Sequence, residues 1–287
     1  MKKFLFSGFR FFIVLSVCLV LFHFILLYPE KKFFKLPSNV TTVFLGNSTI
    51  ECAVNDSLLT NTLNFARSSE SLEFAYAKLK LLKDNNPQID TAFLGFDDII
   101  LFNKGFIPDH TNIYFTKNFN LNDVKFNFKG NYFNRNIFLS HLYDLNKIRP
   151  ILNSYFMDSI NIKNLGIGGY LWLDRKKLEI IPENNNKKIN SEDSLIEKTF
   201  PPLNKFYLDE IIEYCKENDI TLIFLNTPKY HSVWKDSLYR QIHQTYYPEI
   251  KIIDLMEKIY PDSCYGDALH LNYKGARKFS KDFEAYR

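Results

Sequence analysis

An apolar strand that ends on a small polar tripeptide constrains the fold of this chain most. Residues 41–45, TTVFL, are apolar or β-branched, and Gly-Asn-Ser follows at residues 46–48. A second apolar stretch, IDTAFLGF at residues 89–96, comes after a helical pattern over residues 71–83 in which apolar positions recur every three to four residues. A strand, a helix and a second strand in this order predict a parallel sheet within an α/β fold.

The C-terminal third of the chain repeats this alternation. It predicts helices over residues 202–218, 232–246 and 273–284, and strands over residues 220–225 and 250–255. Helical residues are also expected soon after the first strand, over 51–59, and near 134–146. The stretch between the two ordered parts is aromatic and rich in Asn, and it has a polar, loop-like end. We therefore predict one α/β domain over residues 41–287 with an insertion over about 103–200.

A long apolar run precedes this domain. Residues 11–28, FFIVLSVCLVLFHFILLY, reach the lower end of the length that spans a bilayer. We therefore predict a cytoplasmic tail over residues 1–10, a transmembrane signal anchor over 11–28 and a linker over 29–40. The alternative is a cleaved signal peptide, but no small-residue cleavage site follows the run. With the short tail inside, the C-terminal domain is expected outside the cytoplasmic membrane.

Charge and cysteine usage exclude several classes of function. Residues 1–35 hold six Lys and Arg and one acid, so the rest of the chain carries 30 basic and 31 acidic residues. Nucleic-acid binding needs a basic surface, so it is disfavoured. The four cysteines are scattered, and the sequence has neither a P-loop nor a dinucleotide-binding motif. No metal site and no cofactor are predicted.

Candidate catalytic residues lie at both ends of the predicted domain. Asp267 and His270 occur in SCYGDALHLNYKG, between the last predicted strand and the last helix. A serine that attacks an ester needs an imidazole to take its proton and a carboxylate to orient that imidazole. Ser48 follows the first strand, where ligands bind in open α/β sheets. The pattern predicts a triad of Ser48, His270 and Asp267.

Each candidate also has a structural interpretation. A serine after Gly-Asn is more often a turn or helix-capping residue when it stands alone. The Asp-x-x-His motif at the other end of the same α/β domain makes the catalytic interpretation the better one. The remaining domain histidines have no carboxylate at comparable spacing, and we interpret them as surface or packing residues: His110, His141, His231 and His243.

The Gly-Asn-Ser block and the late Asp-x-x-His-Leu-Asn block resemble those of the SGNH (GDSL-type) hydrolase superfamily. The N-terminal apolar run resembles the anchor of its DltD- and AlgJ/AlgX-like branch. The resemblance covers residues 41–100 and 202–287. It implies a three-layer, flavodoxin-like parallel sheet with Ser48 as nucleophile, His270 as base and Asp267 as its orienter.

The superfamily also draws oxyanion donors from a Gly and an Asn in two further blocks. In this chain LGFDDI aligns with the block that carries the Asn, so Gly95 and Asp97 stand in the positions of its Gly and Asn. An ionised Asp97 would repel an oxyanion, so this carboxyl is protonated, faces elsewhere or weakens the site. The other block, NFARSSES, has no Gly, and Asn64 is its candidate side-chain donor. The backbone N–H of Ser48 is a further donor.

The sequence therefore predicts a membrane-anchored serine esterase or O-acyltransferase that acts on acyl esters, acetyl in particular, of cell-envelope glycans. The substrate is an acylated glycan or a small ester, and either water or a sugar hydroxyl resolves the acyl-enzyme. The alternative is an SGNH-like scaffold with weak catalysis that binds a glycan or a partner during polysaccharide assembly. A phospholipase is less favoured because no amphipathic lid stands out in residues 103–200.

Overall fold

A parallel sheet forms the centre of the molecule. The computed structural model describes residues 2–27, 34–103, 168–174, 200–230 and 238–286. The sheet contains strands β1 (Thr42–Leu45), β2 (Thr62–Asn64), β3 (Thr91–Gly95), β4 (Thr221–Asn226) and β5 (Ile252–Asp254). The strand order is β2-β1-β3-β4-β5, and every neighbouring pair is parallel. The prediction of an α/β fold with a parallel sheet is confirmed.

Helices separate the strands along the chain. They are α1 (Lys2–Leu27), α2 (Ser48–Ala53), α3 (Leu72–Asn85), α4 (Asp98–Leu101), α5 (Pro202–Glu217), α6 (Leu238–Tyr246) and α7 (Tyr273–Phe283). The single helix predicted over residues 51–59 is wrong, because α2 ends at Ala53 and a separate 3-10 helix covers Asp56–Leu58. Asn55 causes the break, since its side chain accepts a hydrogen bond from the N–H of Ser57 and so caps a new helical start.

Strand β2 was not predicted. It has three residues and pairs with β1 at one edge of the sheet, with Thr62 opposite Thr42. A segment this short carries no measurable alternation of apolar and polar residues, so only its pairing with β1 defines it.

The sheet is buried on both faces, which explains its uninterrupted apolar strands. Val43 and Leu45 of β1 point to the face covered by α3 and α5, while Phe44 points to the face covered by α2 and α7. Phe44 stacks on Phe93 of β3, with ring centroids 4.7 Å apart. Burial of each such side chain contributes about 1.5–3 kcal/mol, so the two apolar layers provide the main stabilisation of the domain.

The N-terminal segment is a single helix, α1, which begins at Lys2 and ends at Leu27. Its described apolar side chains, from Phe6 to Leu21, are largely exposed. In the described portion of the chain, no helix combines the length and the apolar character that crossing a membrane demands. The structure therefore does not support the predicted transmembrane anchor over residues 11–28.

Part of the predicted linker belongs to the core. Phe34, Leu36 and Val40 are buried among the residues that pack on one face of the sheet. The side chain of Asn86, at the end of α3, accepts a hydrogen bond from the N–H of Leu36 at 2.6 Å and donates to the carbonyl of Phe34 at 2.5 Å. The packed domain therefore extends upstream of residue 41.

Most of the predicted insertion lies outside the described residues, including the helix predicted near 134–146. Residues 168–174 are described, and they contact the domain near the carboxyl ends of the strands.

Candidate active site

Ser48 lies at the carboxyl end of β1, in a tight strand-to-helix turn. Gly46 makes the turn with φ of +139°, a conformation that favours glycine. A Cβ at Gly46 would lie 3.1 Å from Cγ1 of Ile50 and 3.2 Å from the backbone of Gly95. Asn47 then caps α2, whose first residue is Ser48. The turn therefore presents the Ser48 side chain at the edge of the sheet where ligands bind in this fold class.

A buried polar network lies beneath this turn. The side-chain oxygen of Asn47 accepts from the backbone N–H of Thr49 at 3.0 Å and from its hydroxyl at 2.7 Å. The amide nitrogen of Asn47 donates to Oδ1 of Asp97 at 3.2 Å. Nζ of Lys229 lies 2.9 Å from Oδ2 of Asp97. Asp97 is thus paired with a cation and hydrogen-bonded to Asn47, the residue that caps α2. It therefore stabilises the turn.

A compact loop orients His270. The N–H of Gly266 donates to the carbonyl of His270 at 2.9 Å, which closes the loop. Oδ1 of Asp267 accepts from the backbone N–H groups of Leu269 and His270, both at 2.9 Å. The same carboxylate contacts Nδ1 of His270 at 2.8 and 3.0 Å. The Asp-x-x-His spacing is therefore sufficient for these two side chains to meet locally.

The two ends of the domain meet at Ser48. Nε2 of His270 lies 2.8 Å from Oγ of Ser48, although the residues are 222 positions apart. Asn272 caps α7 immediately after this loop, accepting from the N–H of Lys274 at 3.0 Å. Helix α7 packs against α2, and Oγ of Ser280 accepts from the N–H of Asn55. The structure brings the three predicted triad residues into one hydrogen-bonded chain.

The charge state of Asp267 determines the tautomer of His270. Partial burial raises the pKa of Asp267, but hydrogen bonds from the His270 ring and from the Leu269 N–H outweigh it, so the pKa lies below its ordinary value. An ionised carboxylate only accepts hydrogen bonds, so Nδ1 of His270 carries the proton. In the neutral imidazole, Nε2 then has a lone pair available for the Ser48 hydroxyl, which is the arrangement required of a general base.

The structure gives Gly95 a packing role. A Cβ at this position would lie 2.8 Å from Cγ1 of Ile50, closer than a real contact allows. Gly95 therefore permits α2 to approach the end of β3. The structure therefore shows that Gly95 positions the helix that carries Ser48, and its predicted role in substrate binding stays a prediction.

The side chain of Asn64 is also committed to the scaffold. Its amide nitrogen donates to the carbonyls of Ile50 at 3.3 Å and Val54 at 2.8 Å, and its oxygen accepts from the N–H of Ala66 at 2.9 Å. An amide has two donor hydrogens, and both are used here. The structure does not support Asn64 as a donor to an oxyanion.

The turn after β2 rests on a second buried ion pair. Lys78 of α3 contacts the carboxylate of Glu70, and both side chains are almost completely buried. Nζ of Lys78 also donates to the carbonyl of Phe65 at 2.5 Å. Burial raises the pKa of Glu70 to about 7, against the opposing effect of the Lys78 ammonium. This pair holds the segment after β2 on α3.

Sequence reasoning missed the role of residues 168–174, which we call the strap. Its backbone is hydrogen-bonded to α2 through the N–H of Leu171, which donates to the carbonyl of Glu51 at 2.9 Å. It is bonded to α7 through the carbonyl of Leu173, which accepts from the N–H of Tyr273 at 3.1 Å. The pair of adjacent glycines at 168 and 169 was the available sequence signal, because glycine readily adopts the positive φ that the structure shows at both positions. The strap therefore joins the two segments that carry the triad.

Comparisons with known proteins give one match, which covers the C-terminal part of the chain. A protein-family model of unknown function matches residues 175–286. The matched segment includes Asp267 and His270, whereas Ser48 lies upstream of it. A search of curated proteins finds no match to the chain. Among the described residues, no cluster of three or more His, Cys, Asp or Glu side chains is arranged to hold a metal ion.

Proposed function

We propose that the protein is a serine esterase or O-acyltransferase of SGNH type. The observation that carries the proposal is the chain of contacts from Asp267 through His270 to Ser48, with 2.8 Å on each side of the imidazole. The strand order β2-β1-β3-β4-β5 supports it, because flavodoxin-like sheets have this order and bind ligands at the carboxyl ends of their strands. Ser48 follows β1 at that edge.

The proposed reaction has two halves. In the first, Oγ of Ser48 bonds to the acyl carbon while its proton moves to Nε2 of His270. The ester bond then breaks, and the departing alcohol takes that proton. In the second half, water or a sugar hydroxyl gives its proton to His270 and attacks the acyl-enzyme. Ser48 leaves with the proton from His270, and the free enzyme returns.

The oxyanion of each tetrahedral intermediate needs donors. The backbone N–H of Ser48 is the donor we propose, since it precedes the hydrogen-bonded turns of α2. Lys229 balances the charge of Asp97, so that carboxylate repels the developing oxyanion less than an unpaired one would. A missing donor costs about 2.7–4 kcal/mol of transition-state stabilisation, so a site with few donors is expected to be slow.

The proposed substrates are acyl esters, acetyl in particular, on glycans of the cell envelope, outside the cytoplasmic membrane. This part of the proposal rests on the resemblance of the N-terminal apolar run to the anchor of the DltD- and AlgJ/AlgX-like branch. A small ester such as p-nitrophenyl acetate needs only the triad and an oxyanion donor, so it tests the chemistry without the glycan.

The direct test is hydrolysis of p-nitrophenyl acetate by the wild type and by Ser48→Ala. We expect a Ser48-dependent rate above that of buffer. Ser263→Ala is the matched control, because Ser263 is an exposed serine in the C-terminal part of the same domain. Equal rates for the wild type and Ser48→Ala would overturn the proposal.

A second candidate is a scaffold that binds a glycan or a partner without efficient catalysis. Two observations favour it. The amide group of Asn64 donates to backbone carbonyls, and Asp97 is ion-paired with Lys229. Neither side chain is therefore available as an oxyanion donor. Absence of any Ser48-dependent rate, together with glycan binding, would favour this candidate.

A further inference from the structure

An exposed aromatic pair lies on the strap. The indole of Trp172 stacks on the ring of Tyr273, with centroids 4.6 Å apart and planes inclined by 11°. Trp172 is nonetheless 59% exposed, and its neighbour Leu171 is 42% exposed. One face of the indole is therefore covered by Tyr273, and much of the rest of its surface is open to solvent. Large apolar groups held in the open in this way are typical of binding surfaces.

The pair is close to the triad along the backbone. Leu171 is hydrogen-bonded to Glu51, which lies one helical turn after Ser48. Tyr273, which supports Trp172, follows His270 by three residues at the start of α7. The strap thus runs from the helix of the nucleophile to the segment of the base, and Trp172 lies between its two attachment points.

The strap is also fixed at its beginning. The N–H of Gly169 donates to the carbonyl of Ala66 at 3.2 Å. Gly168 adopts φ of +141°, and a Cβ there would lie 2.2 Å from the carbonyl oxygen of Phe65. Only glycine permits this approach. A platform that is held in place before a ligand arrives loses little conformational entropy on binding.

We propose that Trp172 and Tyr273 form a sugar-ring subsite for the glycan whose ester is attacked by Ser48. The inference rests on the proposed esterase or acyltransferase function and names the part of the substrate next to the ester. The negative face of an indole attracts the C–H groups on one side of a pyranose ring. Exposed polar groups at the margin, Asp174 and Lys274, are suited to the ring hydroxyls. An open, planar surface fits a flat ring better than a flexible acyl chain, which needs an enclosed groove.

The first test compares two substrates. Trp172→Ala should lower kcat/KM for O-acetylated cellotriose relative to p-nitrophenyl acetate by about tenfold, through KM, because the variant loses an aromatic contact. A tenfold change corresponds to about 1.4 kcal/mol. Trp172→Phe, which keeps a ring face, should recover part of the loss. Ile259→Ala removes another exposed apolar side chain and should leave both substrates unaffected. An unchanged ratio in Trp172→Ala would overturn the subsite while leaving the esterase proposal intact.

The second test is independent of catalysis. The chain has two tryptophans, Trp172 and Trp234, so Trp234→Phe makes Trp172 the sole indole reporter. In the full chain with Ser48→Ala added, cellotriose or chitotriose should change the Trp172 fluorescence in a saturable way. Saturable sugar binding by this variant, combined with no Ser48-dependent esterase activity in the wild type, would support the subsite and overturn the proposed reaction. No response to either sugar at millimolar concentration would overturn the subsite.

Discussion

Lys229 and Asp97 form a buried ion pair under the turn that presents Ser48. Nζ lies 2.9 Å from Oδ2, and the two side chains are only 3% and 4% exposed. Asp97 also accepts from Asn47, which caps the helix of Ser48, and from the N–H of Ile100. The pair therefore joins β3, β4 and the nucleophile turn, and removal of one partner leaves an uncompensated charge in the core.

Lys229→Met should lower the free energy of unfolding by about 3–5 kcal/mol, because it strands the Asp97 charge. The double variant Lys229→Met with Asp97→Asn should be more stable than Lys229→Met alone. Lys205→Met is the control, since Lys205 and its partner Asp209 are 40% and 45% exposed and such pairs contribute about 0–1 kcal/mol. Urea unfolding of all four proteins measures these differences. Equal losses for Lys229→Met and Lys205→Met would contradict the buried pair.

Asp267→Asn should lower kcat on p-nitrophenyl acetate by about 10³- to 10⁴-fold with little change in stability. An amide in place of the carboxylate no longer holds the Nδ1–H tautomer of His270, so Nε2 loses its lone pair for Ser48. Asp219→Asn makes the same change at an exposed position between α5 and β4 and should retain full activity. Retention of activity in Asp267→Asn would show that another group orients the imidazole.

Stability should depend on pH through Glu70. Burial raises the pKa of Glu70 from 4.5 to about 7, so the folded state holds a proton that the unfolded state has already released between these values. The free energy of unfolding therefore falls as pH rises across this window. Urea unfolding between pH 5 and 7.5 should show a smaller decrease in the free energy of unfolding for Glu70→Gln than for the wild type. The free energy of unfolding of the exposed Glu217→Gln variant should decrease as much as that of the wild type. Parallel curves for the wild type and Glu70→Gln would refute the shift.

Gly95→Ala should impair catalysis by displacing α2. The new methyl group would meet Cγ1 of Ile50 at 2.8 Å, and relief of such overpacking typically costs about 1–3 kcal/mol. The displacement moves Ser48 relative to His270, so kcat should fall together with the melting temperature. Gly8→Ala is the control, because a Cβ there would have no neighbour within 4 Å. A fully active Gly95→Ala protein would contradict the positioning role.

Local patterns account for much of what the sequence predicted. Strands β1 and β3 are buried on both faces, so each appears in the sequence as a continuous apolar run. In helix α3, which lies between them in the chain, apolar residues recur every three to four positions. The Asp267 and His270 side chains meet within one short loop, so their spacing alone brings them together. The position of Ser48 follows from parallel strands, which bring their carboxyl ends to one edge of the sheet.

Features that depend on distant partners could not be predicted. Asp97 alone suggested repulsion of an oxyanion, but its partner Lys229 lies 132 positions away in a loop without a distinctive pattern. Asn64 suggested a donor, but the carbonyls that occupy its amide become neighbours only when α2 packs beside β2. The strap has no periodicity, and its importance comes from three backbone hydrogen bonds to separate parts of the domain.

Covalent labelling with a fluorophosphonate probe tests the central claim most directly, because the probe reacts only with a serine whose hydroxyl is activated. After digestion, mass spectrometry should locate one adduct on the peptide that contains Ser48. Labelling should be lost in Ser48→Ala, strongly reduced in His270→Ala and unchanged in Ser263→Ala. An unlabelled wild type, or equal labelling of the wild type and Ser48→Ala, would contradict the assignment of Ser48 as an activated nucleophile.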